Sequence, residues 1–294
     1  MMTSDEPGPS RSAFSEREAV IEVRNASFAY PNSATVIKEF SLRVEPGRVI
    51  GLVGPSGCGK STILSLLAGL RSPTEGEIVW SDEPQTEHRH PLTMLFQKDT
   101  LLPWLTAADN VDLHYRLTHS KDQTPERLHE LFTMVGLGGA ERAYPYELSG
   151  GMRRRTAFLT AVAPNPRVLL LDEPFSSLDE PTRVALHQDI FDIVKRMGIG
   201  VVLVTHDLAE AVSICDEVLI LSARPATIVG SEEVPFGDSR NVQHLRESPQ
   251  FLELYGRLWR QLTIQIEKSR AAQTAASAVV DTKRGRWGRL KSGR

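Results

Sequence analysis

A glycine-rich loop between an apolar strand and an apolar helix constrains the fold of this chain more than any other feature. Val49–Val53 is a short, β-branched run typical of a strand buried on both faces, and Ser61–Leu70 has the pattern of an apolar helix. This order of strand, loop and helix predicts an α/β core with the loop at the carboxyl end of a strand. The loop has the spacing G-x-x-x-x-G-K-S and consists of Gly54, Pro55, Ser56, Gly57, Cys58, Gly59, Lys60 and Ser61.

Such a loop is suited to binding phosphate groups. Glycines let the backbone curl until its N–H groups converge on phosphate oxygens, and the helix N-terminus adds a partial positive charge. We expect Lys60 to reach the β- and γ-phosphates of a nucleotide, Ser61 to hold Mg²⁺, and Thr62 to belong to the same site. The alternative is a glycine-rich turn that matches the spacing by chance.

A second apolar strand ends in two acidic residues. Val168–Leu171 is apolar throughout and is followed by Asp172 and Glu173. Two adjacent carboxylates at the mouth of such a strand are costly unless cations lie nearby. We therefore expect Asp172 to hold Mg²⁺ or its water, and Glu173 to be the general base that polarises the attacking water. A strand that simply exits into solvent is the alternative.

The rest of the chain alternates strands with helices, which predicts a mainly parallel sheet. Between about residues 100 and 160 the pattern changes to helices and loops, so we expect an inserted α-helical subdomain there. No internal repeat is visible, which predicts one nucleotide-binding unit per chain. The further strands are expected at Val20–Val23, Phe40–Val44, Val201–Val204 and Val218–Leu221, and helices at Glu126–Val135, Pro181–Met197 and Pro249–Arg270.

The composition indicates an ordinary globular protein without a global attraction to nucleic acid. Of 294 residues, 40% are apolar and 24% charged, and the net charge is −3. Two cysteines exclude a disulfide framework, and no apolar run approaches the ~20 residues that a membrane helix needs. Residues 1–19 are polar and lack the features of a signal peptide, so we expect a disordered tail and a cytoplasmic location.

A third motif, Ser149-Gly150-Gly151, opens a predicted helix ahead of the acidic strand. A hydroxyl, bare backbone amides and a helix N-terminus make a second anion-binding device. Serine before a helix is also the ordinary N-cap residue, which is the alternative interpretation. Because the phosphate loop already surrounds the near side of a γ-phosphate, the economical interpretation is that this turn contacts the nucleotide of a second copy of the chain.

Together these motifs resemble the ATP-binding subunits of ABC transporters, over roughly residues 20–230. The resemblance implies a P-loop NTPase core (RecA-like, with a mainly parallel sheet), an antiparallel β subdomain and the inserted α-helical subdomain. It also implies ATP hydrolysis with Mg²⁺ by a homodimer that sits beneath two integral-membrane permease subunits. That assembly would lie at the cytoplasmic face of the membrane, with a solute-binding protein as an indirect partner and no nucleic acid.

The resemblance assigns further site residues. Tyr30 matches the aromatic residue that stacks on adenine, and Gln97 matches the glutamine that touches Mg²⁺ and water and reports to the permease. Asp179 ends the cross-dimer loop Ser176–Asp179, and His206 matches the histidine that contacts the γ-phosphate. Three alternatives stay open: Tyr30 as a surface aromatic, Gln97 as a polar strand end, and His206 as a capped structural histidine.

Within the family, the chain resembles importers of the nitrate, sulfonate and taurine type. Leu101–Thr106 and Met152 carry this likeness, and Trp104 is placed either in a groove that receives the permease or in the core. Departures are Arg154-Arg155, where a glutamine–arginine pair is usual, and Ser176-Ser177, where Gly-Ala is frequent. The alternative functions are an exporter subunit and a soluble ATPase that acts on nucleic acid or ribosomes.

Residues 231–294 are predicted to form a helical extension that ends in a basic tail. Apolar residues recur at helical spacing in Pro249–Arg270, and six cations fall between Lys283 and Arg294. Two interpretations of the tail stay open: it rests on an anionic membrane surface, with ~1 kcal/mol per basic residue, or it stays solvated.

Overall fold

A computed structural model describes residues 19–81, 92–98, 100–117, 124–176 and 178–291 of the chain. The tail expected at residues 1–19 lies outside the described residues apart from Ala19, and so do Ser177 and Arg294. Among the described residues, no helix is both long enough and apolar enough to cross a bilayer.

A six-stranded sheet forms the centre of the molecule, in the order β5-β6-β7-β3-β8-β9. Every neighbouring pair is parallel except β8 and β9, so the predicted α/β class with a mainly parallel sheet is confirmed. Its strands are β3 (Val49–Val53), β5 (Leu92–Leu95), β6 (Val168–Asp172), β7 (Gly200–Thr205), β8 (Glu217–Leu221) and β9 (Ile228–Glu233).

Both faces of this sheet are buried, which explains the continuous apolar runs of its central strands. Along β3, Val49 and Val53 pack into one hydrophobic cluster, while Ile50 and Leu52 pack into the cluster on the opposite face. The same alternation holds along β6, β7 and β8.

A separate antiparallel sheet, ordered β2-β1-β4, covers one of these faces. Its strands are β1 (Ile21–Ala29), β2 (Thr35–Val44) and β4 (Glu75–Trp80), so β1 and β2 run longer than the apolar segments Val20–Val23 and Phe40–Val44. The predicted antiparallel part of the fold is therefore present, with a third strand that the apolar pattern does not indicate.

Between β5 and β6, the described residues form three helices: α2 (Ala107–Leu117), α3 (Pro125–Met134) and α4 (Gly150–Val162). They contact one another, and α4 also contacts β5 and α5, so the inserted helices are joined to the core through α4. The other helices are α1 (Lys60–Leu67), α5 (Glu180–Met197), α6 (Leu208–Ile214), α7 (Val242–Leu245) and α8 (Pro249–Lys291).

The C-terminal helix α8 packs against α6 and β8. Phe251, Leu254, Leu258 and Leu262 are buried in its contact with the core, at the spacing expected of an amphipathic helix. The helix continues past Arg270, where the apolar pattern ends, to Lys291.

Parallel strands place their carboxyl ends on one edge of a sheet, and ligands of open α/β sheets bind outside that edge. Here β3 leads into the glycine loop, β5 ends just before Gln97, β6 ends at Asp172, and β7 ends just before His206. The topology therefore brings four of the predicted motifs to the same edge of the sheet.

Candidate functional site

The glycine loop curls around the side chain of its own lysine. Lys60 is 7% exposed, and its Nζ donates hydrogen bonds to the carbonyl oxygens of Gly54 and Pro55, at 2.8 and 3.1 Å. Gly57 and Gly59 have φ of 75° and 131°, in the region that favours glycine. The loop thus forms a closed turn around one buried ammonium group, at the N-terminus of α1.

A cleft of about 310 Å³ opens beside this turn. Two cations, Lys60 and Arg224, and one acid, Glu173, lie in its wall. A space of this size with two cations fits an anionic nucleotide. The wall residues are Tyr30, Val36, Ser56, Gly57, Gly59, Lys60, Ser61, Thr62, Glu173 and Arg224.

Cys58 belongs to the loop but not to the wall of the cleft. Its thiol is buried in the apolar cluster beneath the antiparallel sheet, and this burial raises the pKa of the thiol. The cysteine therefore contributes to the site through its backbone, while its side chain fills the core.

Ser61 and Asp172 face each other where β6 ends, with 3.5 Å between Ser61 Oγ and Asp172 Oδ1. Burial is the main cause that raises the pKa of Asp172, and the neighbouring Glu173 carboxylate raises it further. A divalent cation between the hydroxyl and the carboxylate would relieve this cost. Oxygen donors of this kind fit Mg²⁺, which prefers oxygen ligands and keeps several waters.

Glu173 is held in an unusual conformation beside His206. Its φ of 46° is left-handed, which is rare for a residue other than glycine and costs backbone free energy. Its N–H donates to the carbonyl of Val204 at 2.9 Å, and its Oε2 lies 3.1 Å from His206 Nδ1. The side chain of His206 is 63% exposed, so the histidine stands at the surface of the site and is not a buried structural residue.

Gln97 is connected to the segment that follows Glu173. Its Nε2 donates to Ser176 Oγ at 3.2 Å, and Ser176 Oγ donates to the carbonyl of Glu173 at 3.2 Å. The glutamine does not line the cleft, so within this chain it meets the acidic segment and not the loop.

Tyr30 lies in the wall of the cleft and is held there by three side chains. Its hydroxyl lies 3.2 Å from Thr62 Oγ1, the Phe28 ring stands nearly perpendicular to its ring with 5.0 Å between the centroids, and Arg71 lies 4.7 Å from its ring centroid. A ring held in this way, with its hydroxyl toward Thr62 in α1, is suited to stacking on a nucleobase.

The Ser149 turn lies away from the cleft. Ser149 is the N-cap of α4 and accepts a hydrogen bond from Met152 N at 3.2 Å, as the ordinary N-cap interpretation requires. Ser149 and Gly150 are exposed, and a Cβ on Gly151 would lie 2.7 Å from Thr182 at the start of α5.

Asp179 stands close to that contact. It is the N-cap of α5, where its side chain accepts a hydrogen bond from Thr182 N. The side-chain hydroxyl of Thr182 and then this backbone bond lower the pKa of the carboxyl. The structure therefore brings the Ser149 turn together with Asp179, and it leaves both apart from the cleft of the same chain.

Arg224 is a wall residue that lies outside every motif of the sequence. It lies in the turn between β8 and β9, and its Nη2 donates to the carbonyl of Ala34, in the connection that carries Tyr30. Ser222 holds this turn by donating to Pro225 O and accepting from Thr227 N. No sequence pattern marks the arginine, because only the pairing of distant segments brings it to the loop.

One protein family and two of its named members are similar to the chain. The family described as ABC transporter matches residues 37–176. The nitrate import ATP-binding protein NrtC of Synechococcus elongatus is 39% identical over 76% of the chain, which spans 34% of that longer protein. The taurine import ATP-binding protein TauB of Burkholderia thailandensis is 36% identical, over 80% of the chain and 92% of the relative.

A solved structure agrees with these matches. The dimeric post-hydrolysis state of the ATP-binding cassette MJ0796, bound to ADP and Pi, has a TM-score of 0.60 and 27% identity, covering 73% of the chain and 98% of the cassette. The expected resemblance is confirmed by these likenesses together with the cleft and the acidic strand. Both named relatives are import ATP-binding proteins. The chain belongs to the family of ABC transporter ATP-binding subunits, and it is an ATPase of that family.

Proposed function

We propose that the chain is the ATP-hydrolysing subunit of an importer, works as a homodimer, and drives uptake of a small solute through separate permease chains. The solute belongs to the nitrate, sulfonate or taurine class. The dimer would be attached to the cytoplasmic face of the membrane by two permease subunits, and a solute-binding protein would supply the cargo.

The observation that carries this proposal is the separation of the Ser149 turn from the cleft of its own chain. The turn presents a hydroxyl and an exposed helix N-terminus, which are suited to a phosphate group. A second copy, facing the first in a twofold dimer, would place its cleft against this turn. Each nucleotide would then lie between Lys60 of one copy and Ser149 of the other, with Asp179 beside the contact.

Within one cleft, the residues divide the work of hydrolysis. Tyr30 orients the adenine ring, Lys60 holds the β- and γ-phosphates, and Ser61 and Asp172 would hold Mg²⁺. When bound, Mg²⁺ neutralises charge on the phosphate oxygens.

Glu173 orients the attacking water and accepts its proton at the carboxylate. His206 Nδ1, 3.1 Å from Glu173 Oε2, keeps that carboxylate in place. Gln97 reaches the same segment through Ser176, which supports its assignment as the link to the permease.

Trp104 supports a docking site for the permease in the inserted helices. Its side chain is 70% exposed, which excludes the core alternative. Buried Asn110 holds the loop that presents it: the Nδ2 donates to the carbonyls of Leu102, Leu105 and Thr106, and Oδ1 accepts from Leu102 N at 2.7 Å. A rigid loop with an exposed tryptophan is a suitable contact for a partner protein.

Replacing Glu173 with glutamine tests the proposal. Glutamine keeps the shape of the side chain but accepts no proton, so ATP turnover should fall by about 10²- to 10⁴-fold. ATP binding should persist, and ATP should convert the variant from monomer to a stable dimer in size-exclusion chromatography with light scattering. Glu253→Gln, on the exposed side of α8, is the matched control and should hydrolyse ATP normally.

Unchanged turnover in Glu173→Gln would refute the assignment of the base, and a variant that binds ATP but stays monomeric would refute the dimer. The transport step needs the permease and the binding protein. In proteoliposomes containing both, ATP-dependent accumulation of labelled nitrate, taurine or an alkanesulfonate is expected. Efflux of the cargo, or ATPase activity that does not change when the permease and the binding protein are added, would exclude the importer.

A further inference from the structure

Arg154, which stands close to the Ser149 turn where the usual family pattern has glutamine, is completely enclosed in the structure. It lies on α4, is 1% exposed, and is among the largest fully buried side chains. Taking a guanidinium out of water is costly unless hydrogen bonds compensate for the lost hydration. A buried arginine at a position where glutamine is usual therefore calls for a structural reason.

The guanidinium of Arg154 connects two segments of the candidate site. Its Nε donates a hydrogen bond to the carbonyl of Pro174, and its Nη2 donates to the carbonyl of Phe96 at 2.7 Å. Pro174 directly follows Glu173, and Phe96 directly precedes Gln97. One side chain thus fixes the backbone beside both residues that are proposed to handle the attacking water.

A second side-chain connection between these two segments is weaker. In the part of the chain that the structure describes, the side chain of Gln97 reaches the acidic segment through the hydroxyl of Ser176, by two hydrogen bonds of 3.2 Å at exposed positions. The side chain of Arg154, in contrast, is buried; its bond to the carbonyl of Pro174 is buried and its bond to the carbonyl of Phe96 is partly buried, so water competes less and the bonds are stronger. Its planar fork places separate nitrogens on separate acceptors, which the single amide nitrogen of a glutamine does not do.

Helix α4 carries both Arg154 and the N-terminal turn of Ser149. A helix transmits displacement along its length, so a shift of the turn moves the guanidinium and with it the backbone beside Gln97 and Glu173. The turn, the glutamine and the acid are therefore linked mechanically within one chain, although only Glu173 lines the cleft.

We propose that Arg154 is a positioning residue, which aligns Glu173 and Gln97 for hydrolysis according to the position of the Ser149 turn. Binding of the partner copy's nucleotide at Ser149 would then change the positions of Glu173 and Gln97 in this chain. The inference rests on the proposed ATPase dimer, and it adds a route by which the two sites of that dimer influence each other.

Arg154→Met is the decisive variant, since methionine fills much of the same space but donates no hydrogen bond. In the full-length chain, kcat for ATP should fall by about tenfold or more, while the Kd for ATP changes by less than about twofold. The reason for this split is that Arg154 contacts the water-handling segments but not the cleft. Arg154→Lys keeps a charged donor and should recover part of the lost kcat.

Arg155→Met is the matched control. Arg155 is the next residue of α4, but it pairs with Asp189 at 2.9 Å, away from Phe96 and Pro174. This variant should unfold at a lower temperature yet keep kcat within about twofold of the parent. If Arg154→Met does not fold, the same comparison of kcat with Kd is made on Arg154→Gln and Arg154→Lys, whose side chains retain donors.

A double-mutant cycle with Gln97→Ala separates positioning from general stability. If Arg154 acts through Gln97, the fold-loss in kcat caused by Arg154→Met should be clearly smaller in the Gln97→Ala background. Full additivity, a kcat retained within twofold, or a Kd that rises in step with the loss of kcat would overturn the inference. An inactive Glu173→Gln with an active Arg154→Met refutes only this inference, whereas an inactive parent refutes the proposed function itself.

Discussion

At the scale of single residues, Asp172 shows stability exchanged for function. Its carboxyl is desolvated at the end of β6, and this burial raises its pKa because the charged form is disfavoured. The hydroxyl of Ser61 and the ammonium of Lys60 offset only part of that effect. Ionised Asp172 is therefore a cost to the folded chain until a cation is present.

Asp172→Asn should accordingly stabilise the chain when a chelator removes divalent ions, while it abolishes Mg²⁺-dependent hydrolysis. A folded-state pKa above the unfolded one means that the carboxyl favours folding at low pH and loses that contribution as pH rises through the folded pKa. The gain in melting temperature should thus be seen at neutral pH and vanish below pH ~3, where the parent aspartate is protonated in both states because its unfolded pKa is ~3.9. Thermal unfolding at both pH values checks this, and an asparagine variant that melts lower in chelator contradicts it.

Arg224 is a second residue whose effect can be stated. Its guanidinium lies in the wall of the cleft and donates to the carbonyl of Ala34, in the connection that carries Tyr30, so we expect it to lie near the nucleoside. Arg224→Ala should raise the Kd for ATP and for ADP by about tenfold, or ~1.4 kcal/mol of binding free energy. It should leave kcat at saturating ATP unchanged. Titration calorimetry gives the affinities, and inhibition by pyrophosphate, which lacks the nucleoside, should be unaffected.

Arg43→Ala is the control for net charge, since Arg43 is exposed on β2 outside the cleft. An equal loss of nucleotide affinity in both variants would mean that the charge acts at long range, and that Arg224 makes no contact of its own.

At the scale of elements, the strands that could be predicted are those whose own side chains are enough to favour a buried strand. Val49–Val53, Val168–Leu171, Val201–Val204 and Val218–Leu221 are β-branched or leucine runs, and each forms a central strand buried on both faces. Strand β9 could not be found in this way. It alternates partly buried and exposed residues, and it forms a strand because it pairs antiparallel with the edge of β8.

The same division applies to the elements of the site. The glycine loop, Asp172-Glu173 and the Ser149 turn are each contained in one short segment, so residue types and spacing were enough to indicate them. Arg224 and Arg154 act through carbonyl oxygens far away in the sequence, at Ala34 and at Phe96 and Pro174. Their contacts arise from the packing of β5, β6 and α4 and from the turn between β8 and β9, which no local pattern specifies.

At the scale of the whole molecule, the central sheet brings most of the predicted site residues to one edge, but the Ser149 turn lies elsewhere. The carboxyl ends of β3, β5, β6 and β7 bring the loop, Gln97, Asp172 and His206 into one region. The inserted helices carry the Ser149 turn to a different, exposed place. An arrangement with the phosphate-binding groups divided in this way favours two copies sharing two sites.

Mixing two inactive variants tests whether the sites are shared. Lys60→Ala removes the ammonium from a chain's own cleft, and Ser149→Asp keeps the N-cap of α4 while placing a negative charge against a partner's phosphates. Each variant alone should hydrolyse almost no ATP. In an equal mixture, half of the dimers pair one variant with the other and retain one intact site of two, so turnover should return to at most about a quarter of the parent rate, and to less if Ser149 also acts on the cleft of its own chain. Coupled-enzyme assays measure this directly.

Ser149→Asn keeps the cap without the charge and should stay active. A mixture of Ser149→Asp with the double variant has no intact site and should stay inactive. Turnover that never exceeds the sum of the separate variants would show that each chain uses its own Ser149, and the dimer would lose its main support.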